Sequence, residues 1–158
     1  MRALVQRVTE GKVAIGGEAR AAIGRGYVIL LGVRAGDTRE DADFLADKCS
    51  GLRVMEDAAG KMNLGLKETG GKALVVSQFT LYGDARKGNR PGFTDAAAPA
   101  DALPLYEAFI ARMREHLGRE NVLTGEFQAM MQVTIVNDGP VTVLIESPNH
   151  NQSRSTSS

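Results

Sequence analysis

The sequence predicts a single α/β domain in which one mixed sheet system is covered by two helices. Three observations predict it. Strand-like runs with β-branched residues and period-two alternation recur along most of the chain. Two stretches, opening near Asp37 and near Asp101, carry apolar residues at helical spacing instead. The length of 158 residues makes one domain with a sizeable core and too little chain for two.

Each element has its own justification. Residues 2–8 read as a strand. Residues 12–15 and 18–23 flank Gly16-Gly17, a two-residue loop that signals a hairpin. The continuous apolar run 27–33, YVILLGV, suits a strand buried on both faces. Thr38 with Asp41 resembles a capping box, and Phe44, Leu45, Cys49 and Leu52 follow at helical spacing. Asp37, Asp41 and Asp43 lack the glycine and terminal glutamate of a calcium loop, and they suit a helix's positive end. Residues 52–55 read as a short strand, and 56–66 as a glycine-bearing loop or irregular hairpin. Residues 73–81, ALVVSQFTL, read as a central strand. Alternation puts Val75, Ser77, Phe79 and Leu81 on one face, and Leu74, Val76, Gln78 and Thr80 on the other.

Residues 83–100 form a long loop of the kind that is often functional. A second helix begins near Asp101 with Pro104 in its first turn. Its core stripe is Ala102, Tyr106, Phe109, Ile110, Met113 and Leu117, and Gly118 stops it. Strands are expected at 122–128, 131–136 and 141–147. The domain therefore runs over 1–147, and the polar tail 148–158 reads as disordered.

Composition excludes several function classes. Lysine plus arginine and aspartate plus glutamate both number 19, so no global basic field attracts nucleic acid. Any RNA contact must be local. The densest basic stretch is Arg86–Arg90, for which a solvated loop is the ordinary reading. No run approaches the ~18 apolar residues of a membrane helix, and the opening MRALVQRVTE alternates where a signal peptide would be apolar. A single cysteine, Cys49, allows no internal disulfide and reads as a packed thiol in a reducing compartment, so the expected location is cytoplasmic.

Familiar catalytic equipment is missing. His116 falls at a helix end and His150 in the tail, with no nucleophile motif nearby. One cysteine and two distant histidines make no zinc set. Gly24-Arg25-Gly26 lacks the third glycine of a dinucleotide fingerprint and precedes a strand. No cofactor and no metal is expected. What remains is Ser77-Gln78-Phe79-Thr80, a polar insertion in an apolar strand. It is either satisfied locally or a strand end whose hydroxyls, amide and backbone N–H groups face a ligand. The segment VNDGPVT at 136–142 lies between two β-forming runs, although proline has no N–H for a ladder. Its residues are those of an ordinary turn.

GKMNL at 60–64, SQFTLYGD at 77–84, RKGNRPGF at 86–93 and VNDGPVT at 136–142 stand in an order and spacing that resemble the D-aminoacyl-tRNA deacylases. The opening ALVQRVTEGKVAI is also similar, and the resemblance covers about residues 1–146. It implies a three-layer α/β/β fold with mixed, mainly antiparallel sheets. It implies hydrolysis of D-amino acids, and of glycine, from the terminal adenosine of tRNA. It also implies a homodimer with active sites at the subunit interface and no membrane association. By resemblance, Gly139-Pro140 is a cis dipeptide that projects into the partner's site as a chiral filter. Ser77, Gln78, Phe79 and Thr80 line the catalytic site, Arg7 holds the filter's orientation, and Asn137 and Thr142 join the substrate-binding set.

The chemistry fits those residue types. Glycine lets a substrate approach the backbone closely, and carbonyl oxygens there accept hydrogen bonds from a substrate ammonium. A D side chain then points to open space and an L side chain meets the filter. Glycine, with nothing to clash, passes. Backbone N–H groups around Phe79 would stabilise the oxyanion, each typically worth about 10²–10³ in rate. The terminal ribose 2′-hydroxyl would assist water. Thr80 as a covalent nucleophile competes with this scheme, without a visible base beside it. A non-catalytic aminoacyl-RNA-binding module and a Thr80-dependent hydrolase of another ester are the alternatives. The sequence departs from the family's pattern at Gly92, where relatives often have serine, and at Gln128, where small residues are usual.

Overall fold

The computed structural model describes residues 1–148. Its strands are β1 (Arg2–Ile15), β2 (Glu18–Ile23), β3 (Gly26–Gly32), β4 (Met55–Glu56), β5 (Met62–Leu64), β6 (Lys72–Ser77), β7 (Val122–Thr124) and β8 (Gln132–Glu146). Its helices are α1 (Arg39–Gly51), the single turn α2 (Leu66–Thr69) and α3 (Pro99–Leu117). β1 is the spine of the sheet. Over its first half it is flanked by β3 and β8, and over its second half by β2 and β8, all antiparallel. β6 then adds parallel to β3, and β7 parallel to β6. The sheet is mixed and mainly antiparallel, as expected.

Period-two alternation along β3 and β6 divides the core into two layers. Tyr27, Ile29, Leu31, Ala73 and Val75 pack with Leu45, Cys49, Phe109 and Met113 of α1 and α3. Val28, Leu74 and Val76 face the other way, onto Val8, Val13 and Ile23, with Met131, Val133 and Ile135 against them. Helices cover one side of the central strands, and the curled β1–β2–β8 layer covers the other. That is the α/β/β arrangement. The helix start is as read: the Asp41 carboxylate accepts from the Thr38 N–H at 2.8 Å. The Cys49 thiol is fully buried, and burial pushes its pKa up to about 12.

Several sequence boundaries are corrected. The strands expected at 2–8 and 12–15 are one strand, because Gly11 lets β1 bend closely over Val28: a Cβ there would lie 2.6 Å from the Val28 Cγ2. The short strand read at 52–55 is displaced to Met55–Glu56, where β5 supplies a hairpin partner. Pro104 lies in the second turn of α3, since Pro99 opens the helix. It is tolerated because Ala100, whose carbonyl loses its i+4 donor, is exposed to water. The strand read at 122–128 ends at Thr124, and the residues after it turn at Phe127-Gln128. The two strands read at 131–136 and 141–147 are one strand, β8, whose pairing with β1 shifts register around residues 138–141. His150 and all but the first residue of the polar tail lie outside the described residues.

Candidate active site

The strand expected over 73–81 stops at Ser77, and that stop creates the site. The Gln78 N–H still donates to the Leu31 carbonyl at 2.8 Å, continuing the parallel ladder. The chain then coils into a 3-10 turn over Phe79–Tyr82, closed by Leu81 N–H to the Gln78 carbonyl and Gly83 N–H to the Thr80 carbonyl. β3 has ended one residue past Leu31, so no parallel partner remains to hold Phe79–Leu81 extended. The two-face alternation read for Phe79, Thr80 and Leu81 is therefore wrong. The N–H groups of Phe79 and Thr80 open the turn and have no acceptor within it.

Ser77, Gln78, Phe79 and Thr80 together line one end of a cavity of about 710 Å3. Its walls are mostly apolar, with Phe93, Tyr106, Phe127 and Met131 prominent. Phe79 is 58% exposed, unusual for a large aromatic, and its ring meets Phe93 edge-on at 5.1 Å. Tyr106 packs on Phe127 at 5.5 Å, and burial pushes its phenol up to about 12. The Gln78 side-chain amide donates to the Thr80 hydroxyl at 2.6 Å. An amide has no basic lone pair to take the hydroxyl proton, so this contact does not activate Thr80.

Gln128 was not singled out from the sequence as a site residue. It lines the same cavity with φ of +65°, at the third position of a turn in which the Ala129 N–H donates to the Glu126 carbonyl. Glycine is the ordinary residue there. The odd side chain in a small-residue segment was the available signal.

The other motif is held by side chains. The Gly139–Pro140 peptide is cis, and both residues are exposed. Arg7 is only 7% exposed, and its guanidinium donates to the Asp138 carbonyl and to the Val54 carbonyl, both at 2.9 Å. The Asn137 side chain closes the loop internally: its Oδ1 accepts from the Val141 N–H at 2.7 Å, and its Nδ2 donates to the Thr142 hydroxyl at 3.0 Å. Asn137 and Thr142 thus have their polar groups engaged in shaping the loop. Gly139 has φ of +139°, and a Cβ on it would stand 2.9 Å from the Val141 nitrogen.

The two motifs do not meet within one chain. Ser77 pairs with Leu31, which pairs with Ala3, which pairs with Ile145. Asn137 pairs with Val8, which pairs with Gly26, which pairs with Lys72. Gly139-Pro140 lies in the register shift opposite Arg7, which pairs with Tyr27 and through it with Ala73, so the motifs are separated along β6 by the four steps from Ala73 to Ser77, or roughly 13 Å at about 3.3 Å per residue.

The D-Tyr-tRNA(Tyr) deacylase family model matches residues 4–146. The chain belongs to this family. A D-aminoacyl-tRNA deacylase of Anaeromyxobacter dehalogenans is 58% identical over 147 residues, 93% of this chain and 97% of that one. One of Thermus aquaticus is 56% identical, covering 93% and 95%. Among solved structures, a c-Myc DNA unwinding element binding protein superposes with a TM-score of 0.89 at 42% identity, over 94% of this chain and 99% of that one. A probable eukaryotic D-amino acid tRNA deacylase shares the fold, with a TM-score of 0.78 at 17% identity, over 92% of this chain and 98% of that one.

The remaining titratable groups sit apart from the cavity. His116 pairs with Asp47 at 2.6 Å on the exposed side of the helix pair, far from any nucleophile motif. Among the described residues, no three His, Cys, Asp or Glu side chains gather as a metal site, and no helix is long and apolar enough to cross a membrane.

Proposed function

We propose that the chain hydrolyses the ester joining a D-amino acid, or glycine, to the 3′ end of tRNA, releasing the free amino acid and tRNA. Two copies build each site: the Ser77–Thr80 turn and its cavity come from one, and Gly139-Pro140 from the other. The observation that carries this reading is the separation of the two motifs within one chain. A filter roughly 13 Å along the sheet from the Ser77 end of its own cavity is better placed to act on a neighbour's.

The strand β8 supports the pairing of copies. β8 pairs with β1 alone among the described strands, so one edge of its 15 residues is unpaired. Val136 and Leu144 are 43% and 53% exposed along it. A long open edge with exposed apolar residues is a template for a second chain.

The site performs the reaction as follows. The terminal nucleoside enters the apolar cavity, which places the ester carbonyl against the opening of the 3-10 turn. Water attacks the carbonyl carbon, assisted by the ribose 2′-hydroxyl. The N–H groups of Phe79 and Thr80 stabilise the oxyanion, and the 3′-oxygen leaves with a proton. Gly139-Pro140 of the second copy receives the substrate ammonium on its backbone carbonyls. Arg7 and Asn137 hold that backbone in place, so an L side chain meets an obstacle that does not yield. Glycine presents no side chain and is accepted. Such chemistry belongs in the cytoplasm, where charged tRNA is consumed.

The test is a rate comparison on one tRNA carrying D-tyrosine, L-tyrosine or glycine, followed as ester loss. D-tyrosyl-tRNA is cleared well above its spontaneous rate, the glycyl ester measurably, and the L-tyrosyl ester at background. A protein that binds charged tRNA and leaves the D ester at background is a binding module, and the proposal falls.

A further inference from the structure

A second concavity opens beside the first. Asp84, Arg86, Lys87, Arg90, Gly92 and Thr94 line a groove of about 600 Å3. The loop that builds it is a closed structure: the Asp84 N–H donates to the Gly92 carbonyl, and the Gly92 N–H to the Asp84 carbonyl, each at 2.8 Å. Between these rungs the chain presents three cations.

Their charges are not equivalent. Arg86 is tied to Asp84 by side-chain contacts of 2.9 and 2.7 Å, and Asp84 also accepts from the Arg86 N–H at 3.0 Å. That pair holds the Asp84 carboxyl down to about 2, so it stays ionised and cancels Arg86. Lys87 and Arg90 have no ion pair or hydrogen bond among the described residues, and both are exposed. Three positive and one negative side chain line the groove, leaving a net charge of +2. On a chain of zero formal net charge this is a local concentration with a direction.

The groove shares a wall with the cavity. Gly92 and Thr94 line the groove, while Phe93 between them lines the cavity and packs on Phe79. A polymer whose last nucleoside sits in the cavity carries its preceding phosphates out past Phe93. We propose that the Asp84–Gly92 loop is a phosphodiester-binding groove, in which Lys87 and Arg90 hold backbone phosphates of the acceptor end of tRNA. The Arg86–Asp84 pair shapes the loop and makes no phosphate contact. Recognition here is of backbone charge, not of base identity. The inference rests on the proposed function for the direction in which the chain leaves the cavity.

The test uses the intact protein with the double substitution Lys87→Ala, Arg90→Ala, and the single substitution Arg20→Ala as an exposed basic control on β2. In the first arm, binding of fluorescein-labelled uncharged tRNA is titrated by anisotropy across a salt series. The double variant binds at least tenfold more weakly at about 0.1 M salt. Its log–log salt slope is shallower by roughly 1.4, from ~0.7 per phosphate contact on a single strand. The Arg20 control matches the wild type. In the second arm, D-tyrosyl-tRNA and 3′-D-tyrosyl-adenosine, which has no backbone phosphate, are compared as substrates. The double variant raises KM for the tRNA and leaves kcat/KM for the adenosine ester within twofold. An unchanged salt slope, or equal losses on both substrates, overturns the groove. If the wild type hydrolyses neither substrate while the binding loss and slope change are seen, the groove stands and the hydrolytic reading fails.

Discussion

Arg7→Lys tests whether the filter's placement depends on one fork-shaped side chain. Arg7 is buried, and its guanidinium bridges the Asp138 and Val54 carbonyls at 2.9 Å each. The carboxylates of Glu56 and Asp138 stand farther off, at 3.9 and 3.7 Å, and are about half exposed, so they add little. A lysine keeps the charge, but a point donor on a flexible stem cannot span two carbonyls set for a planar fork. One charge-assisted hydrogen bond is lost, at about 1.5–3 kcal/mol.

That loss is expected in two readouts. Urea unfolding followed by circular dichroism should show Arg7→Lys less stable by about 1.5–3 kcal/mol. In the proposed mechanism the same interaction holds the loop against the substrate ammonium, so kcat/KM on D-tyrosyl-tRNA should fall roughly ten- to a hundredfold at ~1.4 kcal/mol per decade. The D-over-L preference should narrow with it. Arg7→Ala removes both bonds and leaves two carbonyls without a donor, with about twice the stability loss. An Arg7→Lys protein with native stability and native D-over-L preference would refute the anchoring role.

Three further outcomes are expected. Gln128→Gly relieves a left-handed residue that costs about 1–2 kcal/mol when it is not glycine; after glycine's entropic penalty, calorimetry should show a Tm higher by roughly 2–4 °C, and a lower Tm would contradict it. Thr80→Val removes the hydroxyl bonded to Gln78, and activity on D-tyrosyl-tRNA should stay within about tenfold if backbone donors carry the oxyanion as proposed; complete loss would restore the covalent reading. Asp47, held by the Arg112 hydrogen bond and then by His116, has its carboxyl lowered from 3.8 to about 2. A depressed folded pKa stabilises the fold above the unfolded value and loses that contribution as pH falls through about 2. Both partners are substantially exposed, so Asp47→Asn should cost well under about 1 kcal/mol at neutral pH, and the gap to wild type should close by pH 2; a gap that widens on acidification is the wrong sign.

Much of this fold was legible because local patterns and tertiary partners agree. The Gly16-Gly17 hairpin, the Thr38 start of α1, the buried run of β3 and the Gly118 stop all appear where short-range chemistry puts them. The errors have a common cause. Residues 78–81 alternate well enough for a strand, but β3 ends at Gly32 and no parallel partner accompanies them. β-propensity without a neighbour gives no strand. β8 fails in the opposite direction. Asn137 and Arg7 hold an irregular loop that lets one strand continue past a proline. Arg7 and Asp138 are 131 residues apart, so sequence pattern alone could not find that bond. The family motifs supplied the site residues, whereas Gln128 showed in the sequence only as a departure from small residues, and its place in the cavity wall became visible through its backbone.

Gly139→Ala, taken alone, does not isolate the filter. A Cβ there would lie 2.9 Å from the Val141 nitrogen at φ of +139°, so the loop distorts before any substrate arrives. The variant is more useful as a copy with a broken filter. Thr80→Trp supplies the complementary defect, because Thr80 is exposed yet lines the cavity, so bulk there blocks entry without disturbing the core. Each variant by itself has two defective sites and should be inactive on D-tyrosyl-tRNA. Denatured together in equal amounts and refolded, half of the dimers are mixed. In a mixed dimer, one site inherits both defects and the other inherits neither. Activity should return to about a quarter of wild type if each site draws on two copies. If cavity and filter of a single chain worked together, every site would keep one defect and nothing would return. A Gly139-Pro140 loop set several rungs along the sheet from Ser77 favours the first outcome.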